Sequence, residues 1–576
     1  MKRLFKSLFI VLTSTIALSG CYINVVIERE PNQDKHFDGT TGNYSLINCE
    51  NEVEIDTLKK GDVSFKYIEN QPLLPYLSID SYISLFSCYY LEGVDHVIND
   101  SNGKIEWQIN KDNKPAFYSL IDMKIGTISL AGDIDSLLTT AKDYSKSSLN
   151  LEMEMTPRKI SAKYKSYVYD IGNYDYIVED NKTYLPLSLL DCTYSSVTGM
   201  SHLFNYQRIV QYSEAKQLST VKYSNHSAYE EMKEYASGEL NMEMPQYLLD
   251  DRYNAMIYIF ENMYGLKTTK SISSMEKYLT DNFQDKFKSK DNAVRNEAYA
   301  SFIASLNDGH TGVTDGFLHP WNTGVYQSRG DYTLNMMNIY SNLSAKKNAF
   351  YQEIGKKAGD VIYFNNDKAA FFSFDAFTFA ENAYDDNDNL REDLYNDDTY
   401  FFFKKVFKEI DDKGGVTDVV IDISTNGGGV VGTMFKMIAL MSRGGGVKFY
   451  FNIDNVQEID EYTVYVNTPS YAYGQKFKFH ILTSGYSFSC GNAFPFYARK
   501  NKIATIIGQK SAGGECTVDE NHLPSGECLR KSSLNHIGWY DTKTKTFEGD
   551  EPGVEPDVLI DYEDFYDLTK LAEVIS

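Results

Sequence analysis

The residues Ser484 to Ala493, SGYSFSCGNA, place three serine hydroxyls and one thiol where an apolar run, FHILT, gives way to a helix-like pattern from Asn492 onward. A serine or cysteine at a strand-to-helix turn holds its nucleophilic atom clear of both elements. The following backbone N–H then points toward the oxygen of a carbonyl under attack. The chemistry this suggests is acyl transfer through a covalent intermediate. A similar layout occurs earlier, in VVIDISTNGGGVVGTMFKMIALMS, where Gly427, Gly428 and Gly429 lie between a buried-strand pattern and a helix. Glycines there let backbone N–H groups approach an oxyanion, and the helix N-terminus adds positive potential. The G-x-x-x-x-G-K-[ST] and in-frame G-x-G-x-x-G signatures of nucleotide sites are absent.

A serine nucleophile needs a base. The chain has nine histidines, His36, His96, His202, His226, His310, His319, His480, His522 and His536. His310 stands out because SLNDGHTGV sets it just past a helical pattern, between Gly309 and Thr311. An imidazole close to its ordinary pKa suits general-base work, provided that it reaches the nucleophile.

Five segments occur in an order that resembles the S41 peptidases, the tail-specific and tricorn-like serine proteases: LNDGHTG, VIDISTNGGG, SFSCGN, ATIIGQKSAGG and GVEPDVLID. The resemblance runs from about Leu248 to the C-terminus. It implies an exported serine endopeptidase with a ClpP/crotonase-like α/β peptidase domain. In that family the nucleophile precedes the strand-end glycine of an I-I-G motif by a fixed interval; Gly508 makes Ser489 the matching position, with Ser487 shaping the turn. The tail-specific base is a lysine in a G-K turn beyond that glycine. Here GQKSAGGE has Gly514 at that place, and Lys510 is too close to Gly508. The departure favours the tricorn-like arrangement, which implies His310 as base and Asp550 or Glu551, in EGDEPGVEPD, as the acid orienting it. The oxyanion donors implied are the backbone N–H groups of Gly427 or Gly428 and of Cys490. Cys490 is also an alternative nucleophile, since a thiolate at a helix N-terminus is favoured. A PDZ-like carboxylate-binding loop is not visible, so recognition of substrate C-termini is not expected.

The elements that must position these residues follow from periodicity. YLLDDRYNAMIYIFENMYGL and NAVRNEAYASFIASL carry apolar residues at helical spacings. From about Leu334 the pattern alternates again, through FFSFDAFTF, before a helix TYFFFKKVFKEIDDK stopped by Gly414 and Gly415. VTDVVIDIS is the continuous apolar run of a strand buried on both faces. Residues 416–560 then read strand, Gly loop, helix, strand, Ser loop, helix, strand, an α/β arrangement. Residues 61–243 are rich in Tyr, Ile, Val and Ser and read as mixed β-rich structure. There AFYSLIDMKIGTISLAGDI and KTYLPLSLLDCTYSSV each suggest a strand followed by a helix or turn.

The start, MKRLFKSLFIVLTSTIALSG, has basic residues, a short apolar run and then small residues, as export signals do. LSGC resembles the lipobox of bacterial lipoproteins, which implies cleavage before Cys21, its acylation, and a membrane anchor on the extracytoplasmic face of the bacterial cell membrane. The expected organisation is a signal over 1–20, a polar tether over 21–60, a β-rich domain over 61–243, the helical part of the S41 region over 244–330 and the α/β peptidase domain over 331–576. With 80 acidic against 56 basic residues the formal charge is −24, which argues against nucleic-acid partners. No C-x-x-C pair points to a metal, no cofactor is called for, and Cys516 and Cys528 flank a loop that a disulfide could staple. The partner expected is a protein or peptide substrate. A competing class is an inactive relative that holds peptide or cell-wall material, and ester hydrolysis is a third reading.

Overall fold

A run such as Val419 to Ile421, with no polar residue in it, must be covered on both faces. The computed structural model describes residues 42–48, 57–68, 70–87, 89–138, 147–150, 153–159, 166–205, 209–213, 243–314, 330–385, 389–453, 458–466 and 472–576. It places that run inside a six-stranded sheet whose spatial order follows the chain. The strands are β1 (Ile362–Phe364), β2 (Ala369–Ser373), β3 (Asp418–Asp422), β4 (Lys478–Thr483), β5 (Ala504–Gly508) and β6 (Val558–Leu559). β1 is antiparallel to β2, and β2 through β6 are parallel.

Period-two alternation assigns each side chain to one of two cores. Phe372, Val419, Ile421, Phe479, Ile481 and Ile506 face one of them. That core is covered by helices α2 (Thr399–Lys413), α3 (Val431–Met441) and α4 (Cys490–Lys500). Phe371, Val420, Leu482 and Ile507 face the other, under α1 (Asp331–Glu353) and α5 (Leu568–Ile575). α2 is stopped at Gly414, where φ is +70°, as its Gly-Gly signal predicts.

Several expectations are corrected. The alternation read from Leu334 is instead the 23-residue helix α1, on which Met336, Leu343, Lys347 and Tyr351 are buried along one side. Between α3 and β4 the chain makes an unforeseen hairpin, Val447–Ile453 with Glu458–Val466. This hairpin pairs onward to Cys528–Asp541 and to Met153–Lys159. AFYSLIDMKIGTISLAGDI is two antiparallel strands, whereas KTYLPLSLLDCTYSSV is the expected strand and helix. Gly42–Asn48, in the segment expected as tether, pairs antiparallel with Thr57–Val63, which runs across the expected boundary at residue 60. The signal and Cys21 lie outside the described residues.

Residues on either side of position 243 share a single core, in which Trp107, Tyr194 and Phe204 pack with Tyr258, Phe260 and Phe302. Cys516 and Cys528 are both buried, and neither is in a disulfide. They lie at opposite ends of a hairpin ladder in which Cys516 faces His536 and Cys528 faces His522, so no disulfide joins them. Among the described residues no helix is long and apolar enough to cross a membrane.

Candidate active site

Because β3 and β4 are parallel neighbours in register, Asp422 opposite Leu482, their carboxyl ends open at the same edge of the sheet. The loop after β3 carries Gly427–Gly429 and the loop after β4 carries Ser487–Cys490. Serine hydroxyls stitch the two together: Ser484 Oγ donates to Ser424 O at 2.6 Å, and Ser487 Oγ donates to Ile423 O at 2.9 Å while accepting from Ser484 N at 3.0 Å. Ser487 is wholly buried and committed to this turn.

Ser489 differs in every respect. It is only partly buried, its hydroxyl makes no hydrogen bond among the described residues, and it is the residue immediately before α4. Its φ of 55° and ψ of −124° form a backbone conformation that non-glycine residues adopt only under constraint. The constraint comes from both sides: Ser489 N donates to Gly513 O at 2.9 Å, and its carbonyl accepts from Asn492 N and Ala493 N at 2.8 Å each. The turn also needs close backbone approach. A Cβ on Gly491 would lie 2.5 Å from Asn426 O, and one on Gly428, where φ is +112°, would lie 2.8 Å from Ser489 Cβ and 3.1 Å from Cys490 N. The Gly loop therefore lies directly against the serine and the first N–H of α4.

Of the two glycine donors expected there, Gly428 spends its N–H on Asn426 Oδ1 at 2.9 Å, which leaves Gly427 as the available one. The loop is braced from behind by Lys347 of α1, only 2% exposed. Its Nζ lies 2.5 Å from both Asp375 Oδ1 and Thr425 Oγ1, and Thr425 donates to the same Asp375 oxygen at 2.7 Å. No pattern in the sequence marks this triad, since its members are 28 and 50 residues apart.

His310 is brought to the same place, with its ring 4.6 Å from the Phe488 ring, centroid to centroid. Asp308 shapes its turn, accepting from His310 N at 2.9 Å and from Thr311 Oγ1 at 2.5 Å. Burial lowers the imidazole to about 4, against a smaller upward pull from Asp308, and Nδ1 has no hydrogen-bond partner among the described residues. No hydrogen bond joins His310 to Ser489 in this arrangement; in unliganded sites such contacts are often long and tighten with substrate.

Phe488, which sequence reasoning passed over, fills the space between the His310 turn and Gly514. A Cβ on Gly309 would meet its ring at 2.7 Å and one on Gly514 at 2.5 Å. Gly514 also has φ +91°, so steric exclusion and backbone conformation together account for the missing lysine. Lys510 is an exposed ion-pair partner of Glu555, at 2.8 Å.

The two candidate acids separate. Asp550 is buried beside Asn492, whose Nδ2 donates to its backbone carbonyl at 3.0 Å, and its charge bears on Cys490 and Tyr497. Glu551 Oε2 accepts from Gly514 N at 3.2 Å and Glu515 N at 3.0 Å. Burial, with Asp308 and Glu515 adding, pushes the Glu551 carboxyl up to about 7. Neither acid makes a hydrogen bond or ion pair with His310. Cys490 is turned away from the cleft: its Sγ lies 3.0 Å from Gly429 O, and burial pushes the thiol up to about 12. A neutral thiol is no nucleophile, which leaves Cys490 its backbone N–H as the group for the chemistry.

With this geometry in place, residues 390–560 match the family model described as Peptidase family S41. No curated protein matches the chain. Among solved structures, mature CPAF complexed with lactacystin is 12% identical at a TM-score of 0.36, over 57% of this chain and 98% of that one. A lipoprotein from Streptococcus agalactiae is 12% identical at 0.33, over 58% and 98%. The photosystem II D1 C-terminal processing protease is 15% identical at 0.32, over 55% and 93%. The family match spans residues 390–560, the segment that holds the Gly loop, Ser489 and both candidate acids.

Proposed function

We propose that the protein is an exported, lipid-anchored endopeptidase that cleaves protein or peptide substrates through an acyl-enzyme on Ser489. The observation that carries this reading is a conformationally constrained, only partly buried Ser489 at the N-terminus of α4, whose hydroxyl makes no hydrogen bond among the described residues. Ser489 Oγ attacks the scissile carbonyl and His310 takes its proton, later returning it to the leaving amine. The N–H groups of Cys490 and Gly427 hold the oxyanion, with the α4 dipole in support. Glu551 is the better placed acid, because its carboxylate is held by Gly514 N, beside the Phe488 ring that packs on His310, and feels the Asp308 charge of the His310 turn. Closing onto substrate would have to bring the imidazole to the hydroxyl.

A fluorophosphonate probe on the full-length protein tests the reading. Covalent label is expected on Ser489 in the peptide map; absence of label under conditions where peptides bind would make the domain a binding module instead. The anchor rests on the LSGC sequence ending at Cys21. In a bacterial host, Cys21→Ser is expected to move the protein out of the membrane fraction, and unchanged fractionation would remove the anchor from the proposal.

A further inference from the structure

The strands Cys516–His522 and Cys528–Asp541 form a hairpin that takes no part in the chemistry above. At one end of it Cys516 and His536 face each other across the ladder, and Glu515 turns its carboxylate toward the same imidazole. His536 Nδ1 lies 2.6 Å from Glu515 Oε1 and 3.7 Å from Cys516 Sγ. The three donor atoms all lie within 4.8 Å of one another. The residues are buried, at 7%, 1% and 7% exposure for Glu515, Cys516 and His536.

A second observation concerns charge. Asp550, 2% exposed, has both carboxylate oxygens without a hydrogen bond among the described residues, and Glu515 Oε2 accepts from the N–H of its neighbour Glu551 at 3.1 Å. A buried carboxyl, a thiol and an imidazole thus meet within 4.8 Å, with the unpartnered Asp550 carboxyl buried on the adjoining loop. Such a gathering is unfavourable unless protons or a cation neutralise it.

We propose that Glu515 Oε1, Cys516 Sγ and His536 Nδ1 bind one zinc-class divalent cation. The mixed sulfur, nitrogen and oxygen set suits zinc and its neighbours, whereas calcium and magnesium prefer oxygen alone. Tetrahedral bonds of zinc length separate sulfur from nitrogen by about 3.6 Å and nitrogen from oxygen by about 3.3 Å. The sulfur–nitrogen distance already fits. The carboxylate must withdraw by about 0.7 Å from the imidazole to reach such lengths, a movement its side-chain torsions allow. Binding converts the thiol to a thiolate, and that proton leaves to solvent while the imidazole binds in its neutral form.

The ion would be a clamp. Glu515 Oε2 accepts from Glu551 N at 3.1 Å, and the adjoining Gly513 carbonyl holds Ser489 N, so ordering Glu515 orders both the acidic loop and the serine turn. The assignment stands whether or not Ser489 is a nucleophile, because its donors lie outside the Ser489–His310 pair. It departs from the sequence-based expectation of no metal, which rested on the absence of C-x-x-C pairs.

The test uses the full-length protein freed of metal with a chelator and then titrated with Co2+ and Zn2+. One equivalent per chain and a thiolate-to-cobalt charge-transfer band are expected, with Cys516→Ser losing the band and His536→Gln weakening binding at least about tenfold. In the unmutated protein, Zn2+ is expected to protect Cys516 selectively from alkylation in mild denaturant, read by peptide mass spectrometry against Cys192, Cys490 and Cys528. That readout stands even if a variant fails to fold. Stoichiometric Co2+ without a charge-transfer band, binding unchanged in folded variants, or equal alkylation of Cys516 with and without Zn2+ would overturn the assignment.

Discussion

Ser489→Ala is expected to lower kcat for peptide hydrolysis by about three to six orders of magnitude with little change in thermal stability. The Ser489 hydroxyl holds nothing in place, and alanine keeps the Cβ and therefore the backbone constraint. Ser487→Ala is the contrasting variant. It removes a buried hydroxyl that links Ser484 N to Ile423 O, at 3.0 and 2.9 Å, and so strands the Ser484 N–H, while Ile423 O keeps its bond from Asn426 N at 3.0 Å. That should cost about 1–3 kcal/mol of stability and lower the melting temperature by several degrees while chemistry persists at a reduced rate. The pair is read by hydrolysis of an unfolded protein substrate alongside thermal melts. Normal turnover by Ser489→Ala would sink the assignment, and loss of activity in Ser487→Ala without loss of stability would transfer it to the wrong serine.

His310→Gln should produce a loss of the same order, and the double variant with Ser489→Ala should be scarcely worse than either alone, since nucleophile and base act as one unit. The pH profile carries a separate signature. Burial holds the imidazole neutral down to about 4, so the acid limb of kcat/KM belongs near pH 4 and not near the ordinary histidine value of about 6.5. For stability the sign is fixed by the same shift: the unfolded chain takes up the proton first as pH falls. The contribution of His310 is fully present above about pH 6.5 and is lost between there and about pH 4. His310→Gln should flatten that part of the stability curve in urea melts across the window. An acid limb at or above pH 6.5, or an unchanged slope in the variant, would place His310 outside the chemistry.

What the sequence by itself determined was local. The apolar run VVIDI became buried β3, and TYFFFKKVFKEIDDK became α2 with its glycine stop. The two small-residue segments became loops at the ends of β3 and β4. Each depends on periodicity or on φ/ψ preference within a few residues, which the chain states directly. The family resemblance singled out Ser489 from its neighbours, and in the structure the two serines differ in one local respect: Ser487 Oγ is tied at 2.9 Å to the neighbouring loop, whereas Ser489 Oγ makes no hydrogen bond among the described residues.

Only the tertiary structure decided what converges. α1 was read as alternation because its buried stripe is narrow and mixed, with Lys347 in it; that lysine is tolerated there only because Asp375 and Thr425 meet it from other segments. Phe488 looks like one more apolar residue until it is seen to lie between His310 and Gly514. Likewise, Cys516 belongs with His536 and Glu515, not with Cys528, because an antiparallel ladder pairs residues by register and not by spacing. Hydrogen bonds, ion pairs and buried charge depend on distances between atoms that are far apart along the chain. Those distances are fixed only when the cores on both faces of the sheet close.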